Sequence, residues 1–255
     1  MNEQFNTLDL ARAKIFLPLT LLGTIFCYTL LMYFYPVAKT TQILPATLLN
    51  SLIRVTLPLA VCGGILFAAL AAKISFKSVF RRLNLRNFSL ASAVKGLVAV
   101  IPLIGAVYLI NITIFLLHQL INRKIDKQQI RSVITEASSL ELVGVAVSVV
   151  ILAPLFEEIL FRRIIYSAIR GGLSYFLINK EQKIRFRRHC CAAAVISCSV
   201  IFALLHFDSL AAMPGIFVIG LFLQCIYLKY NSLYPAIILH AANNLISFAA
   251  TLLLK

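Results

Sequence analysis

Long uncharged apolar stretches alternate with short charged segments along the whole chain. A helix that crosses the ~30 Å hydrocarbon core needs about 20 apolar residues, and most of these stretches reach that length. The fourth stretch is short unless it continues through the two glutamates that follow it. The pattern predicts an all-α, polytopic transmembrane helical bundle of seven spans, or eight if a loop re-enters the membrane. The predicted spans are Ile15–Ala38, Val55–Ala72, Gly96–Asn122, Leu142–Phe156, His189–Phe207, Ser209–Leu228 and Tyr230–Leu254.

Composition excludes a soluble protein. Apolar residues make up 61% of the chain and charged residues only 13%, whereas about a quarter of a soluble domain is charged. So few charges cannot cover so much apolar surface in water, so lipid must surround most of the chain. The acidic and basic residues that precede the first stretch, and its length, argue against a cleaved signal peptide, so we expect this stretch to remain as the first span.

The net charge of +15 reflects the loops between the spans. The segment Lys73–Lys95 carries six basic residues and no acidic one, and Arg162–Arg188 carries eight basic residues and one acidic. Arg123–Glu141 is mixed, with four basic and three acidic residues. Because cytoplasmic loops are enriched in Lys and Arg, the first two segments are predicted inside and the third outside, with the amino terminus in the cytoplasm. Loops this short offer no continuous basic groove, which argues against nucleic-acid binding.

The six cysteines lie within or beside apolar stretches and show no CxxC spacing. We interpret them as small apolar packing residues. The chain is predicted to form one integral membrane domain with two parts. Residues 1–140 form an amino-terminal half with three spans, and residues 141–255 form a core with four.

Two adjacent acidic residues interrupt the apolar pattern after the fourth stretch. Glu158 precedes Arg162 by four residues, the favourable helical order for an ion pair, whereas Glu157 lies about 100° away around the helix. Glu157 is therefore free to face a cavity, where loss of solvent would suit it to general acid or base chemistry near neutral pH. The alternative is that both glutamates pair with Arg162 and Arg163 at the membrane surface.

Two histidines and an asparagine lie in later spans. His206 follows Phe202 by four residues near the end of one span, and His240 precedes Asn244 by four residues on one face of the last span. Ionisable groups are costly inside a membrane and usually functional, and buried polar groups need partners. We expect these side chains to meet the glutamates around water.

The segments Glu157-Glu158-x-x-x-Arg162, Phe202-x-x-x-His206 and His240-x-x-x-Asn244 resemble, in order, the three motifs of the CAAX-protease (CPBP) family. That family includes CAAX prenyl endopeptidases and bacterial proteins labelled abortive-infection or bacteriocin-immunity proteins. The resemblance covers roughly residues 150–248, and the first 140 residues add only hydropathy.

The resemblance implies an intramembrane endopeptidase that uses a glutamate-activated water. In this chain Glu157 would activate water with help from His206, and His240 and Asn244 would hold the oxyanion. Glu158 and Arg162 would form a supporting pair, and Phe202 would line the cavity. The implied substrate is a membrane-associated protein or peptide, with a lipidated tail as a family-level option, and the implied location is the cytoplasmic membrane if the host is bacterial.

Other functions stay open at the level of sequence. A zinc-dependent version of the protease would use Glu157, His206 and His240 as ligands, although the resemblance favours a site without a cofactor. A non-catalytic immunity or scaffold protein would use the same polar residues to hold helices together. A transporter would relay protons through them, but the paired halves typical of transporters are not visible.

The depths of the predicted residues conflict. With these boundaries, Glu157 lies near the cytoplasmic end of its span and His206 near the far end of the next. Continuation of the fourth helix to about Tyr166 would move the glutamates inward by about 13 Å, with His206 still deeper.

Overall fold

The computed structural model describes residues 7–41, 55–85, 88–120, 139–175, 186–206 and 210–253. All regular structure in these ranges is helical, which confirms the all-α prediction. The first helices are α1 (Thr7–Thr41), α2 (Thr56–Ala71), α3 (Phe76–Arg82), α4 (Leu90–Val98) and α5 (Val100–Leu120). The last three are α9 (Arg187–Leu205), α10 (Met213–Tyr230) and α11 (Leu233–Leu253).

Between α5 and α9 the described residues 139–175 form one long helix that contains two π-helical segments. Its α-helical segments are α6 (Ser139–Val147), α7 (Ala153–Glu158) and α8 (Tyr166–Tyr175), joined by π-helical segments at Ser148–Leu152 and Ile159–Ile165. We call this helix, residues 139–175, the motif helix, because it carries both glutamates. π-Helical turns inside α-helices occur frequently at functional sites.

Six helices of the described ranges are long and apolar enough to cross a membrane. They are Ile15–Thr41, Leu90–Leu117, Leu142–Leu173, Arg187–Leu205, Met213–Tyr230 and Leu233–Leu253. The predicted second span corresponds to the 16-residue α2, which is about 24 Å long and shorter than the hydrocarbon core. The predicted bundle is therefore confirmed in kind, with six full-length spans and one short apolar helix.

Several predicted boundaries are wrong. The third span begins at Leu90 and includes Lys95, and the fourth continues through both glutamates to Leu173. Arg162 and Arg163 thus lie in a helix and not in the predicted loop. Arginine is tolerated there because Arg162 is fully buried beside a carboxylate, an arrangement that hydropathy cannot register. The predicted ends at Asn122, Phe207, Ser209 and Leu254 lie outside the described residues.

Helices α1 and α2 lie against each other through small residues. A Cβ atom added to Gly23 would come within 3.0 Å of the Gly64 Cα atom, and one added to Gly64 would collide with Thr24. Small residues allow helix backbones to approach closely in membranes. The close approach brings α1 beside the motif helix, which it also contacts.

Candidate active site

The predicted polar residues lie in the middle of the packed bundle. Glu158 and Arg162 are completely buried, and Glu157 and His240 are almost so, at 7% and 4% exposure. Buried charges are stable only when paired and hydrogen-bonded. Among the described residues Glu158 pairs with Arg162, whereas Glu157 faces two histidines, which differs from the alternative in which both glutamates pair with arginines.

Glu158 forms the centre of a buried ion-pair network. Arg162 donates from Nε and Nη2 to the two carboxylate oxygens, over 2.7 and 3.3 Å. The Nδ1 atom of His240 lies 3.0 Å from Glu158 Oε1, and because a carboxylate paired with arginine only accepts, Nδ1 carries the proton. Glu158 therefore fixes the orientation of His240 and directs its Nε2 atom away from the pair.

Glu157 lies between the two imidazoles. Its Oε2 atom is 3.3 Å from His206 Nε2 and 3.9 Å from His240 Nε2, and it has no well-aligned hydrogen bond from the described residues. The Nδ1 atom of His206 lies 2.8 Å from the Phe202 carbonyl and must donate to it, because a carbonyl only accepts. Both histidines thus direct Nε2 toward the same carboxylate oxygen.

The aromatic ring of Phe202 packs against both histidines and against Arg162. Its centroid is 4.3 Å from that of His206 and 6.0 Å from that of His240, and the Arg162 guanidinium carbon lies 4.9 Å away. Such contact with a cation is favourable when the pair is desolvated. Phe202 therefore packs against three of the polar side chains.

Asn244 binds the backbone of the motif helix. Its Nδ2 atom donates to the Val149 carbonyl over 2.9 Å. In the π-helical segment each N–H bonds to the carbonyl five residues earlier, as Ala153 does with Ser148. At this spacing the Val149 carbonyl would need an N–H from Pro154, and proline has none. Asn244 therefore satisfies a backbone group that the proline leaves without a donor, and α11 is tied to the motif helix at this point.

An apolar cavity of about 430 Å³ opens beside Glu157 and His206. The His206 side chain is 34% exposed, so this edge of the site is open to the outside of the bundle. The wall opposite the motif helix is formed by α1. The lining residues are Leu21, Thr24, Ile25, Tyr28, Thr29, Leu57, Glu157, Leu160, Phe161, Ile165, Leu205 and His206.

The conflict in depth disappears in the structure. The motif helix continues to Tyr175, which moves the glutamates to its interior, and His206 lies at the carboxyl end of α9, directly against Glu157. The structure thus brings together Glu157, Glu158, Arg162, Phe202, His206 and His240 through direct contacts, and Asn244 through its bond to the same helix.

Sequence reasoning missed the contribution of α1. Thr24 is buried, lines the cavity and has no hydrogen-bond partner for its Oγ1 atom among the described residues. A threonine in a membrane helix usually bonds to its own backbone, so its position in the sequence carries no signal. Leu21 and Tyr28 also line the cavity, but in the sequence they cannot be distinguished from residues that face lipid.

The described residues contain no group of three or more His, Cys, Asp or Glu side chains arranged to hold a metal ion. His206 Nε2 and His240 Nε2 nevertheless lie 3.3 and 3.9 Å from the same oxygen of Glu157. Donors at about 2 Å from a tetrahedral zinc ion lie roughly 3.3 Å from one another, so these distances do not separate the zinc-dependent site from the metal-free one.

Comparison with known proteins identifies the part of the chain that carries this site. Residues 139–246 match the family model described as Rce1-like: Type II CAAX prenyl endopeptidase Rce1-like. Neither the curated proteins nor the solved structures include a significant match to the chain. The match and the apolar helices together indicate an integral, multi-pass membrane protein. Residues 139–246, which include all three motifs, thus match a model of the CAAX-protease family that the sequence resembles.

Proposed function

We propose that this protein is an intramembrane endopeptidase in which Glu157 activates water to hydrolyse a peptide bond of a membrane-associated substrate. The observation that carries the proposal is the convergence of two histidine Nε2 atoms on Glu157 Oε2, at 3.3 and 3.9 Å, beside a cavity. Glu158, one residue further along, is instead neutralised by Arg162. A partly desolvated carboxylate without a permanent cation is suited to take a proton.

The net charge of the cluster supports a role for an imidazolium. Glu157 and Glu158 carry two negative charges, and Arg162 is the permanent cation at 2.7 Å from one of them. Buried charges favour balance, and one protonated histidine makes the cluster neutral. Because the His240 Nδ1–H is occupied by Glu158, the imidazolium form of His240 gains a second donor, Nε2–H, directed toward the reaction space.

The proposed reaction is a hydrolysis in two steps. Glu157 takes a proton from water while the water oxygen bonds to the scissile carbonyl carbon, and His206 orients the water. The carbonyl oxygen becomes an oxyanion, which accepts hydrogen bonds from His240 Nε2–H and from the Asn244 amide hydrogen that is not used by Val149. The C–N bond then breaks, and Glu157 returns its proton to the leaving amine.

The chemistry of the cavity supports an apolar or lipidated substrate segment. Its lining is almost entirely hydrophobic apart from Glu157, His206 and two threonines of α1, and apolar pockets bind apolar ligands. A prenylated protein tail, as in the name of the matched family, is one member of this class. For a bacterial host, the proposed location is the cytoplasmic membrane, with the basic segments on its cytoplasmic face.

The decisive experiment replaces the native copy with Glu157→Gln and compares membrane-protein fragments by N-terminal proteomics. We expect specific cleavage products to disappear and their precursors to accumulate, at equal abundance of the variant in the membrane. His189→Gln is a matched control for a parallel His206→Gln variant, since His189 is exposed and its ring lies against that of Phe186, away from the site. Unchanged fragments in Glu157→Gln, with the deletion phenotype still rescued, would favour the immunity or scaffold function.

A chelator separates the metal-free reaction from the zinc-dependent one. Purified protein is treated with 1,10-phenanthroline and assayed on the peptide recovered from the fragment comparison. We expect activity to persist, because in the proposed reaction Glu157 itself takes the proton from water and no metal ion is needed. Loss of activity with recovery on added Zn²⁺ would assign Glu157, His206 and His240 as ligands.

A further inference from the structure

A second cavity, of about 350 Å³, lies further along the motif helix and on a different side from the apolar one. Its wall includes Arg163, Tyr166, Ser167 and Arg170 of the motif helix, together with Tyr227 and Asn231 at the end of α10. We call it the basic cavity. None of its lining residues also lines the apolar cavity beside Glu157.

Two arginines contribute positive charge to the lining of the basic cavity. They lie seven residues apart, two helical turns, and so occupy one face of the helix. Arg163 donates from Nε to the Arg82 backbone carbonyl, which positions its guanidinium group. Because a carbonyl is neutral, this bond does not cancel the positive charge of Arg163. Arg170 interacts with the Tyr166 hydroxyl. No carboxylate of the described residues lines the cavity.

The available donors fit a phosphate group. Arginine guanidinium groups bind phosphate through paired hydrogen bonds, and the Ser167 hydroxyl and the Asn231 amide add neutral donors at the rim. Both arginines are half-buried, so an anion held between them is partly shielded from solvent. Basic pockets between membrane helices on the cytoplasmic side typically bind anionic lipid head groups.

We propose that the basic cavity binds the phosphate group of an anionic ligand through Arg163 and Arg170. Two sources of this chemistry exist at such a position: the head group of an anionic membrane lipid and a free phosphate ester. The site is independent of the peptidase reaction, since it uses none of the residues around Glu157. Binding holds together the motif helix and the end of α10, which both line the cavity.

The test measures ligand retention with two pairs of substitutions. The site variant is Arg163→Gln with Arg170→Gln, and the matched control is Arg187→Gln with Arg188→Gln, two exposed arginines at the start of α9. In one arm, the protein is released from nanodiscs, and native mass spectrometry compares the number of phosphatidylglycerol molecules that stay bound with the number of phosphatidylcholine molecules. In the other arm, glycerol 3-phosphate is added to detergent-solubilised protein, and the thermal unfolding midpoint is measured.

We expect the site variant to bind roughly thirtyfold more weakly, because each arginine near an anionic surface contributes about a factor of five. The control should retain most of the wild-type affinity. Retention of phosphatidylglycerol alone assigns a lipid head group, and a thermal shift with glycerol 3-phosphate assigns a free phosphate ester. Equal binding by wild type and site variant in both arms overturns the proposal, as does an equal loss in both double variants, which indicates general surface attraction.

One of the two substitutions also removes a structural bond. Arg163→Gln loses the donor to the Arg82 carbonyl and could unfold the protein on that account. Arg170→Gln alone leaves this bond intact and should still weaken binding by roughly fivefold. Wild-type binding by a folded Arg170→Gln variant would contradict the site.

Discussion

Glu157 and Glu158 are neighbours in the sequence and have opposite surroundings in the structure. Glu158 is fully buried and accepts hydrogen bonds from Arg162 and His240. Glu157 faces a cavity and two imidazole nitrogens. The difference follows from helix geometry, because adjacent residues lie about 100° apart around the axis. One carboxylate therefore stabilises the fold, while the other is available for chemistry.

This difference predicts opposite effects on stability. Glu158→Gln leaves the Arg162 guanidinium buried without its counter-charge, which should lower the free energy of unfolding by about 3–5 kcal/mol. Glu157→Gln removes no pair with a permanent cation and should change stability far less, although it should abolish activity. Thermal unfolding of both variants in detergent measures the contrast, and equal destabilisation would contradict the division of roles.

The cavity wall formed by α1 gives a second prediction for single residues. Leu21 lines the cavity, whereas Leu22 beside it is 62% exposed on the outside of the bundle. Leu21→Trp should fill the cavity and lower kcat/KM by roughly tenfold, equal to about 1.4 kcal/mol, and Leu22→Trp should leave it unchanged. Kinetics on the peptide recovered from the fragment comparison measures the effect.

Tryptophan fluorescence can check whether the new side chains of the Leu21→Trp and Leu22→Trp variants face the cavity or the lipid. The chain contains no tryptophan, so each variant has a single one, whose emission reports its surroundings. Brominated lipids should quench the tryptophan of the Leu22→Trp variant more strongly than that of the Leu21→Trp variant. Equal loss of kcat/KM in both variants would show that α1 does not form the substrate cavity.

At the scale of the elements, the motif helix depends on another helix for its irregular winding. The π-helical segment Ser148–Leu152 precedes Pro154, and the Val149 carbonyl accepts its hydrogen bond from Asn244 of α11. An unsatisfied carbonyl in an apolar environment is costly. The shape of the motif helix is therefore stabilised by the side chain of Asn244, which lies 95 residues after Val149 in the chain.

A double-mutant cycle tests this dependence. Asn244→Ala alone should lower the free energy of unfolding by about 1 kcal/mol, the value of one hydrogen bond. In a Pro154→Ala background, the new backbone N–H can satisfy the carbonyl, so the same substitution should have little effect. Thermal unfolding of the four proteins gives the coupling energy, and a coupling of zero would show that the proline and the asparagine act independently.

At the scale of the whole molecule, the short helix α2 decides the topology. It carries no charged residue over its 16 residues and packs along α1 through Gly64. Packing against a long neighbour allows a short helix to cross where the bilayer thins around it. Together with the six longer helices of the described ranges, α2 would give the seven crossings that the sequence predicts, with the two termini on opposite sides of the membrane.

Reporter fusions at each end test this topology. We expect a fluorescent-protein fusion at the amino terminus to be active in the cytoplasm, as the basic segments predict, and an alkaline phosphatase fusion at the carboxyl terminus to be active outside. Termini on the same side would mean six crossings, with α2 lying within one leaflet. The reverse orientation of both fusions would contradict the prediction from the basic segments.

Much of this architecture follows from the sequence, because the membrane imposes strong rules on a chain. Apolar stretches about 20 residues long must form helices in lipid, which predicted an all-α bundle. Three motifs in order were sufficient for the family, confirmed over residues 139–246. The spacing of Glu158 and Arg162 predicted their pairing, because both residues lie on a single helix.

Only the tertiary structure decided how the separate helices meet. Helix ends defined by hydropathy misplaced the fourth span, since a buried ion pair hides the charge of Arg162 from the lipid. The facing of two Nε2 atoms toward Glu157, the bond from Asn244 to Val149 and the cavity wall from α1 join residues far apart in the chain. Periodicity describes each helix by itself. The contacts between helices depend on their rotation and depth, which packing determines.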